Sequence, residues 1–299
     1  MEQTTMRPLI FGEVLFDHFP DGTSVLGGAP FNVAWHLHAF GLKPLMITRI
    51  GADELGHKVD GAMQSWGMDC AGLQKDLAHP TGTVEVSFKD GEPSYDIVDK
   101  VAYDFIDASQ LPRLNDGPWL LYHGSLALRH ECSAAALGKL KNAYASSLFV
   151  DINLRSPWWR KEHVLDLVNS AGWIKLNGAE LTEIYPEVSG DPQRIEMLSR
   201  RVTEQIVLTG GERGAIAIST TNRSRVSVSP ESALAVTDTV GAGDAFCSVL
   251  VAGRLLGWPL HVSMQRAQAF ASAIVGIRGA TTEDRGFYRR FIRDWGMKV

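Results

Sequence analysis

A chain of 299 residues with 45% hydrophobic and 21% charged side chains has apolar surface enough for a sizeable core, which excludes wholesale disorder. The length exceeds the usual domain of about 100–200 residues but is ordinary for one large α/β unit. A net charge of −5 gives no global basic field for a nucleic acid or an anionic membrane, and no run approaches the roughly 18 apolar residues of a spanning helix. The N-terminus has no charged and apolar leader, so the expectation is a soluble cytoplasmic protein with neither nucleic-acid nor membrane partners. Cys70, Cys132 and Cys247 are odd in number and widely spaced. They argue against a disulfide scaffold or a zinc site and are expected to be buried apolar side chains.

In chain order, short apolar runs predict strands over 8–16, 45–50, 119–123, 148–152, 173–176, 206–209 and 215–218. Helical periodicity falls between many of them, over 31–40, 54–66, 133–145, 163–169 and 195–202. This alternation predicts a doubly wound α/β fold, a mostly parallel sheet covered by helices on both faces. Segments 83–88 and 94–98 break it: they alternate and are joined by Lys89-Asp90-Gly91-Glu92, the signature of a hairpin. Two strands cannot bury a face alone, so this hairpin must pack on a site mouth or on a second subunit. The last third, with helical patterns over 245–256, 261–275 and near the C-terminus, should be mostly helical.

The chemistry concentrates in Thr237-Asp238-Thr239-Val240-Gly241-Ala242-Gly243-Asp244, immediately before an apolar helical run. Small residues at a helix start leave backbone N–H groups free to face an anion, and the helix dipole adds to the attraction. Asp244 would repel a passively bound phosphate but can take the proton of an attacking hydroxyl, which makes it the candidate base. The rival reading makes Asp244 a helix N-cap. A dinucleotide fingerprint fails because Phe246 stands where its third glycine belongs, and the P-loop and protein-kinase motifs are absent.

A second constellation is Gly27-Gly28-Ala29-Pro30-Phe31-Asn32, with Pro30 in the first turn of a helix and Gly41 just past its end. Asn32 either bonds locally to the backbone or offers its amide to a ligand in the space that Gly27 and Gly28 open. Asp17 is placed at the carboxyl end of the first strand, where open α/β sheets bind ligands, unless it only introduces the turn Phe19-Pro20-Asp21-Gly22. His36 and His38 are two apart on a helix and read as core or solvated histidines, and Trp158 and Trp159 read as packing.

GGAPFNVAWHLHAFG and DTVGAGDAF, in this order and about 200 residues apart, resemble the two signature motifs of the PfkB (ribokinase-like) carbohydrate kinases. Residues 13–17 and GEPSYDIV from Gly91 are most similar to bacterial fructokinases. The resemblance implies a single ribokinase-like domain over 1–299 with a β lid at about 18–27 and 80–105. It implies ATP-dependent transfer of the γ-phosphoryl group to a sugar hydroxyl with Mg²⁺, fructose to fructose 6-phosphate first among the candidates. Rivals are a kinase of ribose, 2-keto-3-deoxygluconate or a nucleoside on the same fold, and a silent sugar-binding relative. By the same resemblance Asp244 is the base and the amides of Gly241, Ala242 and Gly243 form the anion hole. Asp17, Gly27, Gly28 and Asn32 hold the sugar, and Arg155 lies near substrate or phosphate unless it makes a surface ion pair. Asn177 and Glu180 resemble the N-x-x-E element beside magnesium and phosphates, with a plain strand-to-helix turn as the alternative. Thr209, Gly211 and Gly214 resemble the loop passing the nucleotide, with a simple hairpin between Val207 and Ile216 as the alternative. Asp238 with Arg278-Gly279-Ala280 resembles a place where carbonyl oxygens bind a monovalent cation such as K⁺. Lid-to-lid pairing would make a homodimer.

Overall fold

The computed structural model describes residues 6–89, 92–115, 117–230 and 238–298. The chain opens with β1 (Arg7–Phe11), β2 (Leu15–His18), β3 (Ser24–Gly27), α1 (Ala29–Ala39), β4 (Leu45–Gly51), α2 (Glu54–Trp66) and β5 (Leu73–Asp76). After β6 (Gly82–Lys89) and β7 (Glu92–Ile97) come β8 (Trp119–His123), α3 (Glu131–Tyr144), β9 (Ala145–Asp151), α4 (Lys161–Ser170) and β10 (Trp173–Asn177). It continues through α5 (Gly178–Ile184), α6 (Asp191–Ser199), β11 (Gln205–Thr209), β12 (Ala215–Ser219) and β13 (Arg225–Val228) to α7 (Ala242–Leu256), α8 (Leu260–Val275) and α9 (Arg285–Asp294).

Nine strands form the main sheet in the order β13-β12-β11-β10-β9-β8-β1-β4-β5, parallel from β11 to β5 and antiparallel at β12 and β13. Successive side chains point to opposite faces, so each strand serves two layers. Ile10, Met46, Leu120, Phe149 and Val207 pack in the layer with α1, α2, α7, α8 and α9, while Leu9, Ile47, Leu121, Val150 and Ile206 pack with α3 to α6. Burial on both faces explains why these strands read as continuous apolar runs. The doubly wound expectation holds, and the last third is helical as its periodicity predicts.

The expected first strand over 8–16 is in fact two. Gly12 lies at φ +148°, where a Cβ would meet Pro30 Cγ at 2.5 Å. The chain leaves the main sheet there and re-enters pairing as β2, in a second sheet ordered β3-β2-β6-β7. Hydrophobicity alone does not register such a break. The hairpin of β6 and β7 thus packs beside β2 and β3, over a small apolar cluster of Leu15, Val84, Ile97, Val101, Tyr103 and Leu126. Asp90 and Gly91 of its turn lie outside the described residues. Of the cysteines only Cys247 is buried; Cys132 is exposed and Cys70 half-buried, because their positions on α3 and before β5 face outward.

Asp53 ties the second sheet to the first. Its carboxylate caps α2 through Gly56 N at 2.7 Å and also accepts from Thr81 N and Thr81 Oγ1, each at 2.7 Å, just before β6. Asp53→Ala should therefore cost about 2 kcal/mol, a helix cap plus a partly buried amide left without its acceptor, measured as a lower urea midpoint at unchanged m. A midpoint equal to that of the native chain would remove Asp53 from this role. Among the described residues, no helix is long and apolar enough to cross a membrane.

Candidate active site

Gly241, at φ 77° and ψ −3°, is the N-cap of α7, and Asp244 stands in the helix's first turn. Since glycine takes the capping position, the Asp244 carboxylate is free for a distant partner, and its Oδ2 accepts from Asn32 Nδ2 at 2.7 Å. The Asn32 side chain therefore does not bond locally to the backbone: its amide holds the candidate base, and its Oδ1 is buried without a hydrogen bond among the described residues. Ala245 N donates to Gly241 O at 2.8 Å and Ala242 N makes a long bond of 3.4 Å to Thr239 O. The N–H groups of Gly241, Gly243 and Asp244 find no backbone acceptor among the described residues, so the helix start keeps donors for an anion.

Asp244 is half-buried, and loss of water around its carboxyl raises the pKa to about 6. The Asn32 hydrogen bond, Lys175 and Arg155 pull it down, whereas Asp151 pushes it up. A carboxylate so placed is ionised near neutrality yet basic enough to accept a proton in a transition state.

Asp17 sits on β2, in the lid, between Val25 and Val84 in register, and not at the end of a main-sheet strand. Its Oδ2 is 3.5 Å from where a Cβ on Gly27 would stand, and burial raises its pKa to about 6 against the pull of Arg155 and His18. Gly28, at φ +108°, lets the chain pass Glu13, whose carbonyl oxygen would lie 2.7 Å from any Cβ there. Arg155 is exposed, donates to Leu154 O at 3.0 Å, and enters no ion pair among the described residues. Its charge nevertheless lowers the pKa of Asp244, Asp17 and Glu13, so one cation faces all these carboxyls.

Asn177 and Thr209 end neighbouring strands and are paired in register. Asn177 Oδ1 accepts from Glu180 N at 2.9 Å while Glu180 Oε2 accepts from Asn177 N at 2.7 Å, a reciprocal cap on α5. Glu180 Oε1 also accepts from Leu154 N at 2.9 Å, which joins α5 to the Arg155 segment. Thr209 to Gly214 link the antiparallel β11 and β12 through a short 3-10 turn (Gly211–Arg213), so the hairpin geometry is present. Both carboxylate oxygens of Asp238 accept backbone N–H groups, from Val240 at 2.9 Å and Gly279 at 3.0 Å, bracing the loop against 278–280. Thr237 lies outside the described residues.

A model described as pfkB family carbohydrate kinase matches residues 9–285. The chain belongs to the PfkB family of carbohydrate kinases. It is 32% identical to a fructokinase of Klebsiella pneumoniae over 262 residues, covering 82% of this chain and 83% of that one. It is 28% identical to a fructokinase of Escherichia coli over 259 residues, covering 82% and 83%. Its fold superposes on a fructokinase of Xylella fastidiosa with bound ATP at a TM-score of 0.84 and 18% identity, covering 97% and 99% of the two chains. A fructokinase of Vibrio cholerae O395 with fructose, ADP and calcium ion gives 0.80 at 23% identity, covering 96% and 99%. The ribokinase-like fold is thus shared, and the protein is an ATP-dependent sugar kinase.

This PfkB kinase carries further buried polar groups that the sequence reading passed over. Glu13 is 3% exposed, with Oε2 unbonded among the described residues and a pKa raised to about 7 by burial. Lys175 Nζ bonds Asp151 Oδ1 and Oδ2 at 3.0 and 3.2 Å inside the sheet. A lysine within Trp173-Ile174-Lys175-Leu176 is the one signal the sequence offered for that pair. His36, by contrast, is the core histidine that the sequence offered as one of its two readings: it is fully buried and held neutral, with its pKa driven to about 3 by burial. Its Nε2 donates to Ala280 O at 3.1 Å, so Nδ1 accepts from Tyr288 OH at 2.9 Å. Trp158 packs as expected, under the Arg129 guanidinium at 4.4 Å.

Proposed function

We propose that this kinase is a fructokinase, transferring the γ-phosphoryl group of ATP to the primary 6-hydroxyl of D-fructose. The observation that carries the chemistry is the Asp244 carboxylate, fixed by Asn32 in the first turn of α7 beside unengaged backbone amides. In this reading Asp244 takes the hydroxyl proton as the sugar oxygen attacks, and the amides of Gly241, Ala242 and Gly243 receive the charge on the phosphoryl oxygens. Ala242 N would give up its long bond to Thr239 to do so. Asp17, Gly27, Gly28, Asn32 and Arg155 line the sugar, the lid strands excluding water that would compete as nucleophile. Asn177, Thr209, Gly211 and Gly214 border the nucleotide.

Glu180 fits a magnesium ion held through water: its carboxylate is buried, and each oxygen is engaged by one backbone N–H with a lone pair left over. Bound there, Mg²⁺ would neutralise charge on the phosphates. Asp238, with each carboxylate oxygen accepting one backbone N–H, would brace the loop at a site for K⁺. The fructokinases among the relatives support fructose as the sugar.

ADP release with ATP and Mg²⁺ over fructose, ribose, 2-keto-3-deoxygluconate and nucleosides tests the assignment. Fructose should give the highest kcat/KM by about tenfold or more, the scale expected from a few hydroxyl contacts. Another sugar in first place overturns fructose and leaves the phosphoryl chemistry standing. Saturable sugar binding with no turnover on any acceptor overturns the catalytic reading.

The carboxyl pKa values give a further expectation. Protonation removes the base at Asp244 and the acceptor at Asp17, both with a pKa of about 6. Hence kcat/KM should be level above about pH 7 and fall below about pH 6 with a slope steeper than one proton. A profile that stays level to about pH 5 would exclude Asp244 as the base.

A further inference from the structure

Behind the first turn of α7 lies an ion pair that the reaction itself does not consume. Lys175, 7% exposed at the middle of β10, and Asp151, 1% exposed at the end of β9, are register partners and bond inside the sheet. Lys175 Nζ is 3.3 Å from where a Cβ on Gly243 would stand, directly under the loop amides. Asp151 Oδ2 accepts from Cys247 Sγ at 3.4 Å, one turn further along α7, and from Tyr122 OH at 3.4 Å on β8. Three strands and the catalytic helix therefore converge on one carboxylate. Removing two charges from water is expensive, and a buried pair of this kind seldom improves stability over apolar residues of the same size.

We propose that the Lys175–Asp151 pair is a positioning device for phosphoryl transfer, seating the first turn of α7 so that the loop amides and Asp244 meet substrates held at the ends of β9 and β10. The proposal rests on the reading of Asp244 as the base. Groups acting on Asp244 are Asn32 from α1, Asp151 and Arg155 from β9 and the loop after it, Lys175 from β10, and Glu13 from the loop after β1. Lys175 and Asp151 act with opposite signs, which gives a signed test. Burial opposes the lysine's charge, but Asp151 beside it keeps the ammonium protonated.

The test compares Lys175→Met, Asp151→Asn and the double variant Lys175→Met/Asp151→Asn with the native protein, measuring kcat at saturating sugar against pH, sugar KM and Tm. Lys175→Met leaves Asp151 unopposed and should move the acid limb to higher pH; Asp151→Asn leaves Lys175 unopposed and should move it to lower pH. Each shift should reach about half a pH unit, with kcat down about tenfold or more and KM within about threefold. The double variant removes both charges and keeps an amide acceptor for Tyr122 and Cys247, so it should fold with a near-native Tm while kcat stays about tenfold low. A double variant with native kcat, or limbs that do not move apart in opposite directions, overturns the positioning role. Asp244→Asn, run beside them, separates the two readings: if that variant turns over normally the base assignment fails, whereas its inactivity beside fully active pair variants defeats the ion-pair proposal alone.

Discussion

Asp244→Asn should lower kcat by about 10³-fold while making the protein more stable at neutral pH. The loss follows from removing the only acceptor for the hydroxyl proton in this mechanism, since an amide oxygen has no basicity to contribute, while the Asn32 hydrogen bond keeps its geometry. The gain follows from linkage. Asp244 has a pKa near 3.8 when unfolded and about 6 when native, so the folded state binds a proton that the unfolded chain has released between those values. Native stability therefore falls as pH rises through this window, and above it the chain carries the full cost of a desolvated carboxylate, about 1–3 kcal/mol. Asparagine has no such cost. Calorimetry should show a Tm raised by several degrees at about pH 7.5, a difference that shrinks towards pH 4. Equal melting temperatures at both pH values would show that the carboxylate is not held in the native state at a disadvantage.

Gly241→Ala should lower kcat by about 10²–10³-fold, the effect of losing a pre-set anion-hole donor. At φ 77° an alanine is strained, and its Cβ would come 2.5 Å from Ala280 Cα and closer still to Ala280 Cβ. Ala280 has little room to move, being 5% exposed with its carbonyl held by His36. The loop must shift instead, carrying the amides away from the phosphoryl group. Gly257→Ala is the matched control. It ends the same helix at φ 68° with nothing within 4 Å of a Cβ, so it should cost about 1 kcal/mol and leave kcat unchanged. If both variants lose activity equally, global weakening of α7 explains the effect and the close approach to Ala280 does not.

Much of this architecture is legible in the sequence because its signals are local. Pro30 and Gly41 bound α1, and the apolar runs of a sheet buried on both faces stand out between helical segments. Gly241, Gly243 and Asp244 mark a helix start that keeps backbone donors unengaged. What escaped is non-local. The single apolar run over 8–16 concealed a change of sheet at Gly12, because a bend needs a dihedral angle and leaves hydrophobicity unaltered, and Asp17 was placed on the wrong sheet as a result. The choice offered for Asn32, backbone or ligand, omitted its actual partner on another helix. Lys175 stands as one polar residue within an apolar run, and its partner Asp151 lies on the neighbouring strand, 24 residues away. The reciprocal cap of Asn177 and Glu180 satisfied the structural reading and left the nucleotide role to be tested.

The bond between Asn32 and Asp244 spans 212 residues. Joining two points so far apart along a chain carries a loop-closure entropy growing as (3/2)RT ln n, offset only once α1, α7 and α8 have docked on the sheet. The proposed base is thus oriented in the same event that completes the tertiary structure. On the proposed mechanism, a chain halted earlier, with its central strands paired and its last helices still loose, would have no aligned carboxylate and so no means of spending ATP on water. Recovery of turnover during refolding is accordingly a clock for the final docking step.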